Sequence, residues 1–204
     1  MMGLKERRIQ HKEQFRAEIL AAARELFSQE GYSQFSMRKL AARIEHSPTT
    51  IYLYFRDKDD LLFYICEELY AAFLKAVVEI RQAEPDPGQA LRLILHQYIR
   101  FGVSHPEQYK TVFFTSPVVY GSPDSFMTRD TVALRSYRAF LDLISECIQC
   151  GVLRKNDCNT LAMVFWSAMH GLVTSIIFTR DFPMPDTALM ADILIDGLLK
   201  GHAA

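Results

Sequence analysis

Residues 47–58 read SPTTIYLYFRDK. Ile51 and Phe55 stand four apart, the spacing of a buried helix stripe. Around them lie Ser47, Thr49, Thr50, Tyr52 and Tyr54, five hydroxyls in eight residues. A segment that only filled a core would not carry them, and a solvated loop would not carry the stripe. Ser47 is a helix N-cap, and Pro48 suits the first helical position, where its missing N–H costs nothing. The segment therefore reads as a short helix anchored on one side by Ile51 and Phe55. Its other side presents hydroxyls, and it closes on Arg56, Asp57 and Lys58.

Upstream, Phe15, Ile19, Ala22, Ala23, Leu26 and Phe27 fall on one face of a first helix. Gly31 ends it as a C′ residue, and Tyr32 can fold back onto it. Ser36 is the N-cap of a second, short helix with inner residues Leu40, Ala41 and Ile44. Glu45 to Pro48 form a tight connection to the hydroxyl-rich helix. Two short helices so joined are a helix-turn-helix. Hydroxyls bond phosphates or base edges, and the Thr methyl can touch a thymine methyl. Arg38, on the first helix of the pair, can clamp the backbone. Lys58, opening a fourth helix, joins its charge to N–H groups suited to a phosphate.

The fourth helix runs on through Leu61, Leu62, Ile65, Leu69, Phe73 and Val77 to the break AEPDPG at 83–88. Further helices are expected at 88–103, 107–114, 124–149, 158–179 and 187–200, with SHPEQY, SPVVYGSPDS, CGVLRKND and RDFPMPD between them. Only TVFF, 111–114, hints at a strand. The expected fold is all-α: an N-terminal three-helix bundle with a helix-turn-helix (residues 1–58, with the start of helix four), then a larger helical domain (59–204) for ligand binding and dimerisation.

The net charge of −1 says nothing about partners, but its distribution does. Residues 1–58 hold 11 Lys/Arg against 7 Asp/Glu, and the rest hold 12 against 17. A polyanion is thus expected at the N-terminal end. Lys5, Arg7, Arg8 and Lys12 read as a mobile arm reaching DNA or as a disordered leader. The charged start lacks an apolar leader core. The near-apolar stretch 161–178 is short for a span of ~20 residues and holds Ser167, His170, Thr174 and Ser175. A soluble, cytoplasmic protein is expected. Cys147 and Cys150 have C-x-x-C spacing without a second ligand pair, and the six histidines are scattered, so neither metal nor cofactor is expected. No phosphate-binding glycine loop, G-x-S-x-G or H-E-x-x-H occurs, and no catalytic constellation emerges.

The ordered elements of ILAAARELFSQEGYSQFSMRKLAARIEHSPTTIYLYFRDKDDLL, residues 19–62, resemble the TetR-type bacterial transcriptional regulators. They are A-x-x-L-F-x-x-x-G-Y, S-x-R-x-L-A, S-P-x-T-I-Y-x-Y-F and K-x-x-L. The resemblance implies that Pro48, Thr49 and Thr50 lie near bases while Arg38, Tyr52, Tyr54 and Lys58 hold phosphates. With the capping Ser47 these form the candidate DNA-binding set. Two positions depart from the family. Glu45 stands where most members carry Gly, and Tyr54 replaces the usual His.

WSAMHG, 166–171, resembles the Trp-x-x-x-His-Gly signature of one TetR subclass. Trp166 and His170 are i, i+4 partners, and a mid-helix Gly171 suggests close approach of another helix or a ligand. The resemblance implies a homodimer through the last two helices, for which Ile176, Ile177, Leu189, Ile193, Leu194, Leu198 and Leu199 supply apolar surface. It also implies a small-molecule effector that releases a repressor from a palindromic double-stranded operator. Aromatic linings suit hydrophobic ligands. The candidates are Tyr98, Phe101, Phe113, Phe126, Tyr137, Phe165, Trp166, Met169 and His170, any of which can equally be core. The alternative is a DNA-binding dimer whose C-terminal domain docks a protein partner.

Overall fold

The computed structural model describes residues 3–114, 117–179 and 182–204. Parts of two expected breaks, Ser116 and residues 180–181, lie outside them. Among the described residues there are ten α-helices and one 3-10 turn: α1 (Leu4–Gln34), α2 (Met37–Arg43), α3 (Pro48–Tyr52), α4 (Lys58–Ala83), α5 (Pro87–Ser104), α6 (Pro106–Phe114), the turn Pro117–Tyr120, α7 (Pro123–Thr128), α8 (Val132–Gln149), α9 (Cys158–Phe178) and α10 (Thr187–Gly201). The only β feature among them is an isolated bridge between Leu153 and Ala203. TVFF is helical, as the last turn of α6.

The expected helix starts carry their capping bonds. Ser36 accepts from Lys39 N at 3.2 Å, Ser47 from Thr50 N at 3.1 Å, and Pro48 occupies the first turn of α3. Gly31 breaks α1 with φ 73°. This turn lets Tyr32 fold back parallel to Phe27, with ring centroids 6.2 Å apart. Two expectations change. α1 begins at Leu4, so the N-terminal basic segment is helix rather than an arm or a disordered leader. The helix expected over 124–149 is two, because Thr131 adopts an extended conformation and caps α8, accepting from Leu134 N at 3.1 Å.

The end of α2 is a Schellman motif: His46 N bonds Ala41 O at 3.0 Å and Glu45 N bonds Ala42 O at 3.3 Å. Its C′ residue is Glu45, with φ 56°. The end of α8 repeats the motif with Gly151, φ 72°, at the same position. A side chain in this left-handed region costs about 1–2 kcal/mol, part of which Gly offsets by its greater unfolded freedom. Glu45→Gly is therefore expected to stabilise the protein by about 1 kcal/mol, read as a higher urea midpoint at unchanged m-value. A lower midpoint would show that the Glu45 side chain makes a compensating contact.

The chain forms two compact units. Unit one comprises Met1–Leu69 with Glu107–Thr128, and unit two Tyr70–Pro106 with Arg129–Ala204. α4 starts at Lys58, where the fourth helix was expected, and contributes residues to both units. The core of unit one is built from Ile19, Leu20, Ala23, Leu26 and Phe27 of α1, Met37, Leu40 and Ala41 of α2, Ile51 and Phe55, and Leu61, Leu62 and Ile65 of α4. In unit two, α9 packs against α5, α8 and α10, and α10 also against α5. α9 is long and apolar enough to pass for a membrane span. Here its Leu161, Phe165, Met169 and Val173 are buried in the core of the unit.

Candidate nucleic-acid interface

α3 is only five residues long, so its pose depends on what it is anchored to. Ile51 is fully buried and Phe55 is 1% exposed. The Phe55 ring lies under the Arg16 guanidinium at 4.9 Å and meets Tyr64 edge-on at 5.7 Å. With that side fixed, Thr49 is exposed and Tyr52 is 53% exposed. Leu53, which the sequence did not single out, is 75% exposed and adds an apolar contact beside them. Thr50 is half-buried, and its hydroxyl lies 2.9 Å from that of Ser47. Ser47 and Thr50 thus hold the start of the helix, which leaves Thr49 as its open hydroxyl. Tyr54 is half-buried, packed edge-on against Phe15 at 5.2 Å.

The cations around α3 divide into committed and uncommitted. Lys39 pairs with Glu30, Arg43 with Glu25 and Arg56 with Asp60. Arg38 is exposed and forms no ion pair or hydrogen bond among the described residues. Lys58 lies with its ammonium 4.0 Å from the Tyr32 ring centroid, a cation–π contact that orients the charge without neutralising it. The Tyr32 hydroxyl donates to Asp59. Burial, then this bond, pushes the phenol up to about 12. The anion-binding capacity expected at the N-terminus of α4 is partly used internally: Asp60 N donates to Asp57 at 2.8 Å. Lys58 adds its own positive charge at that end of the helix.

The aromatic candidates separate. In unit two, Trp166 and His170 stack 4.8 Å apart, as their spacing implied. His170 Nδ1 lies 3.4 Å from the Tyr98 hydroxyl. Phe73 meets Tyr98 at 5.7 Å and Phe101 at 6.0 Å. Burial lowers the His170 pKa, which favours the neutral ring. This half-buried cluster combines apolar faces with two polar tips. Phe165 and Met169 belong to the core, with at most 1% exposed. The Tyr137 hydroxyl donates to Asn159 at 3.1 Å. Phe113 and Phe126 belong to unit one, beside Tyr109 and Tyr120 respectively. A cleft of about 240 Å³ in unit one is lined by Ala21, Arg24, Glu25, Ile65, Glu107 and Thr111 among others, and by none of these aromatics.

Gly171 and Cys147 lie in contrasting surroundings. A Cβ at Gly171 would meet nothing within 4 Å, so no element among the described residues approaches it closely. Cys147 is buried, donates to Pro87 O at 3.3 Å, and burial pushes its thiol up to about 12.

An all-helical chain with an anchored, outward-facing helix-turn-helix and unneutralised cations at its edges defines a DNA-binding transcriptional regulator. Comparison with known proteins agrees. Residues 19–65 match the family described as bacterial regulatory proteins, tetR family. Residues 91–198, more than half of the chain, match the tetracyclin repressor-like C-terminal domain. The chain belongs to the TetR family. It is 33% identical over 100 residues to the HTH-type transcriptional repressor NicS of Pseudomonas putida, covering 49% of this chain and 47% of that protein. It is 22% identical to the fatty acid metabolism regulator protein of Bacillus subtilis, over 90% of this chain and 93% of that one. The match thus spans about half the length of NicS and nearly all of the Bacillus protein. The crystal structure of a bacterial regulatory protein in the tetR family from Rhodococcus RHA1 superposes with a TM-score of 0.71 at 21% identity, over 93% of this chain and 97% of that one. These relatives are transcriptional regulators, not enzymes.

Proposed function

We propose that the protein is a homodimeric repressor that reads a palindromic operator with two copies of α3 and is released by a small hydrophobic ligand. The carrying observation is the split of α3 into a fully buried side, Ile51, and an exposed side, Thr49 and Tyr52, flanked by the unpaired Arg38. Thr49 is the base-edge candidate, with Pro48 and Thr50 beside it. Tyr52, Arg38 and Lys58 are the phosphate holders. Tyr54 contributes through the rim of its packed ring.

One such helix reads few base pairs, so two on a dyad, about 34–36 Å or a multiple apart, are needed for a specific site. The outer faces of α9 and α10 support that dyad. Val164, Phe178, Leu189 and Ile193 are each more than 40% exposed. Gly171 and Gly197 on the same helices have open space where a Cβ would stand, which suits close packing of partner helices. Of the residues expected for this face, Ile177 instead turns into the core, at 5% exposed.

The cluster of Phe73, Tyr98, Phe101, Trp166 and His170 is the effector candidate. The relative aligned over nine-tenths of both chains is named for fatty acid metabolism, which makes acyl compounds the first ligands to assay. α4 carries Lys58 in its first turn and Phe73 in the cluster. A ligand that tilts α4 needs a coupling of only ~1–3 kcal/mol to change DNA affinity five- to 150-fold.

Selection of bound genomic fragments at fixed salt tests the DNA reading, because affinity without the salt stated is uninterpretable. On the selected operator, Tyr52→Phe is expected to weaken binding about fivefold for all sequences alike, whereas Thr49→Ala shifts base preference at one position of each half-site. Wild-type affinity and preference in both variants would remove α3 as the reader.

A further inference from the structure

We infer that the first three turns of α1 form a second DNA-binding surface, which lies along the phosphate backbone beside the half-site met by α3. This rests on the DNA-binding reading and extends it to a segment outside the helix-turn-helix.

One face of α1 recurs at positions 5, 8, 12, 16, 19, 23 and 26, steps of three and four. From Ile19 onward this face is core: Ile19 and Ala23 are fully buried and Leu26 is 4% exposed. N-terminal to Ile19 the same face is Lys5, Arg8, Lys12 and Arg16. The stripe therefore changes from buried apolar to basic where α1 extends past its own bundle. Lys5, Arg8 and Lys12 are exposed, and none forms an ion pair among the described residues. Elsewhere in unit one, Arg24, Lys39, Arg43 and Arg56 are each paired with a carboxylate. Like charges three and four apart on a helix repel, so packing within this chain gives no reason for the stripe.

Its position says what offsets that repulsion. Arg16 lies over the rings of Phe55 and Tyr64, at 4.9 and 4.1 Å. The Lys12 ammonium is 6.0 Å from the Tyr54 ring. Phe15, between them, packs on Tyr54 and on His46 of the turn, at 5.2 and 4.6 Å. The stripe thus leaves the bundle at the C-terminal edge of α3 and beside the turn before it. Glu6 and Glu13 fall about a third of a turn off it, and Glu6 is engaged with Gly3 N at 2.8 Å. Among the described side chains of this segment only Ile9 is a large exposed hydrophobic, too little apolar surface to seat the helix in a lipid interface. From Lys5 to Lys12 the helix spans about 10 Å, the rise of about three base pairs along the duplex axis. The surface adds affinity without sequence information.

The test uses the full chain with Lys5, Arg8 and Lys12 all changed to Gln, and Arg7→Gln, on the opposite side of the helix, as control. Binding to the selected operator is measured against salt, with helical content checked by circular dichroism. The triple variant is expected to lose about 2.7 from the slope of log K against log salt per protomer, 0.9 per cation. Affinity at low salt should fall at least tenfold, base preference should hold, and hydroxyl-radical protection should vanish outside the half-sites. Arg7→Gln should change the slope by less than half of one cation's share. An unchanged slope and footprint in the triple variant, with wild type binding, overturns this inference and leaves the α3 reading intact. Altered base preference overturns it too, since the stripe would then act through α3. A wild-type chain that selects no DNA overturns both.

Discussion

A Phe55→Ala variant is expected to lose about 3–5 kcal/mol of stability and all measurable operator binding at concentrations where wild type saturates. The ring is 1% exposed and packs with Ile51 in the core shared by α1, α2 and α4. It also floors the Arg16 guanidinium. Its removal leaves a cavity under the C-terminal end of a helix too short to hold itself, since isolated helices of this length are not stable. Against a typical total of about 5–15 kcal/mol, that loss is a large fraction. Urea denaturation gives the stability and gel shift the binding. Phe55→Leu separates packing from identity: it keeps most of the volume, and both properties should largely survive. A Phe55→Ala protein with native stability and affinity would mean that α3 is held by something other than its buried side.

Ile193→Glu is expected to make the protein monomeric at micromolar concentration and to lower operator affinity about 10²-fold. Two linked half-site contacts exceed either one alone by about 10²–10⁴. Ile193 is 65% exposed on α10, so a carboxylate there leaves the isolated chain folded but cannot be buried unpaired in the proposed interface of α9 and α10 with a second copy. Ile195, two residues on, is fully buried in the same helix. Ile195→Glu should unfold unit two instead of dissociating folded subunits. Sedimentation with circular dichroism distinguishes the two results. A dimeric Ile193→Glu protein would move the dyad away from α10.

The helix-turn-helix was legible because its determinants are local. Ser36 and Ser47 bond the N–H groups three residues on, Pro48 sits where no N–H is needed, and Gly31 supplies a positive φ; each acts within a few residues of itself. The helix expected over 124–149 failed for a related reason. The Thr131 cap is as local as the others, but an apolar periodicity running across it masked the break. Glu45 shows the converse, a left-handed turn recognisable from its place although its residue type argues against it.

Sequence by itself determined the family, the two short helices of the helix-turn-helix and the residues that anchor the second, Ile51 and Phe55, because spacing of three and four along a helix fixes which side chains share a side. Only the tertiary structure decided which charges stay uncommitted. Arg38 and Lys39 are neighbours in sequence, yet Lys39 finds Glu30 and Arg38 finds no carboxylate among the described residues. It also decided which aromatics gather around His170 and which fill the core. These are pairings between residues distant along the chain, and no local rule of helix geometry sets them.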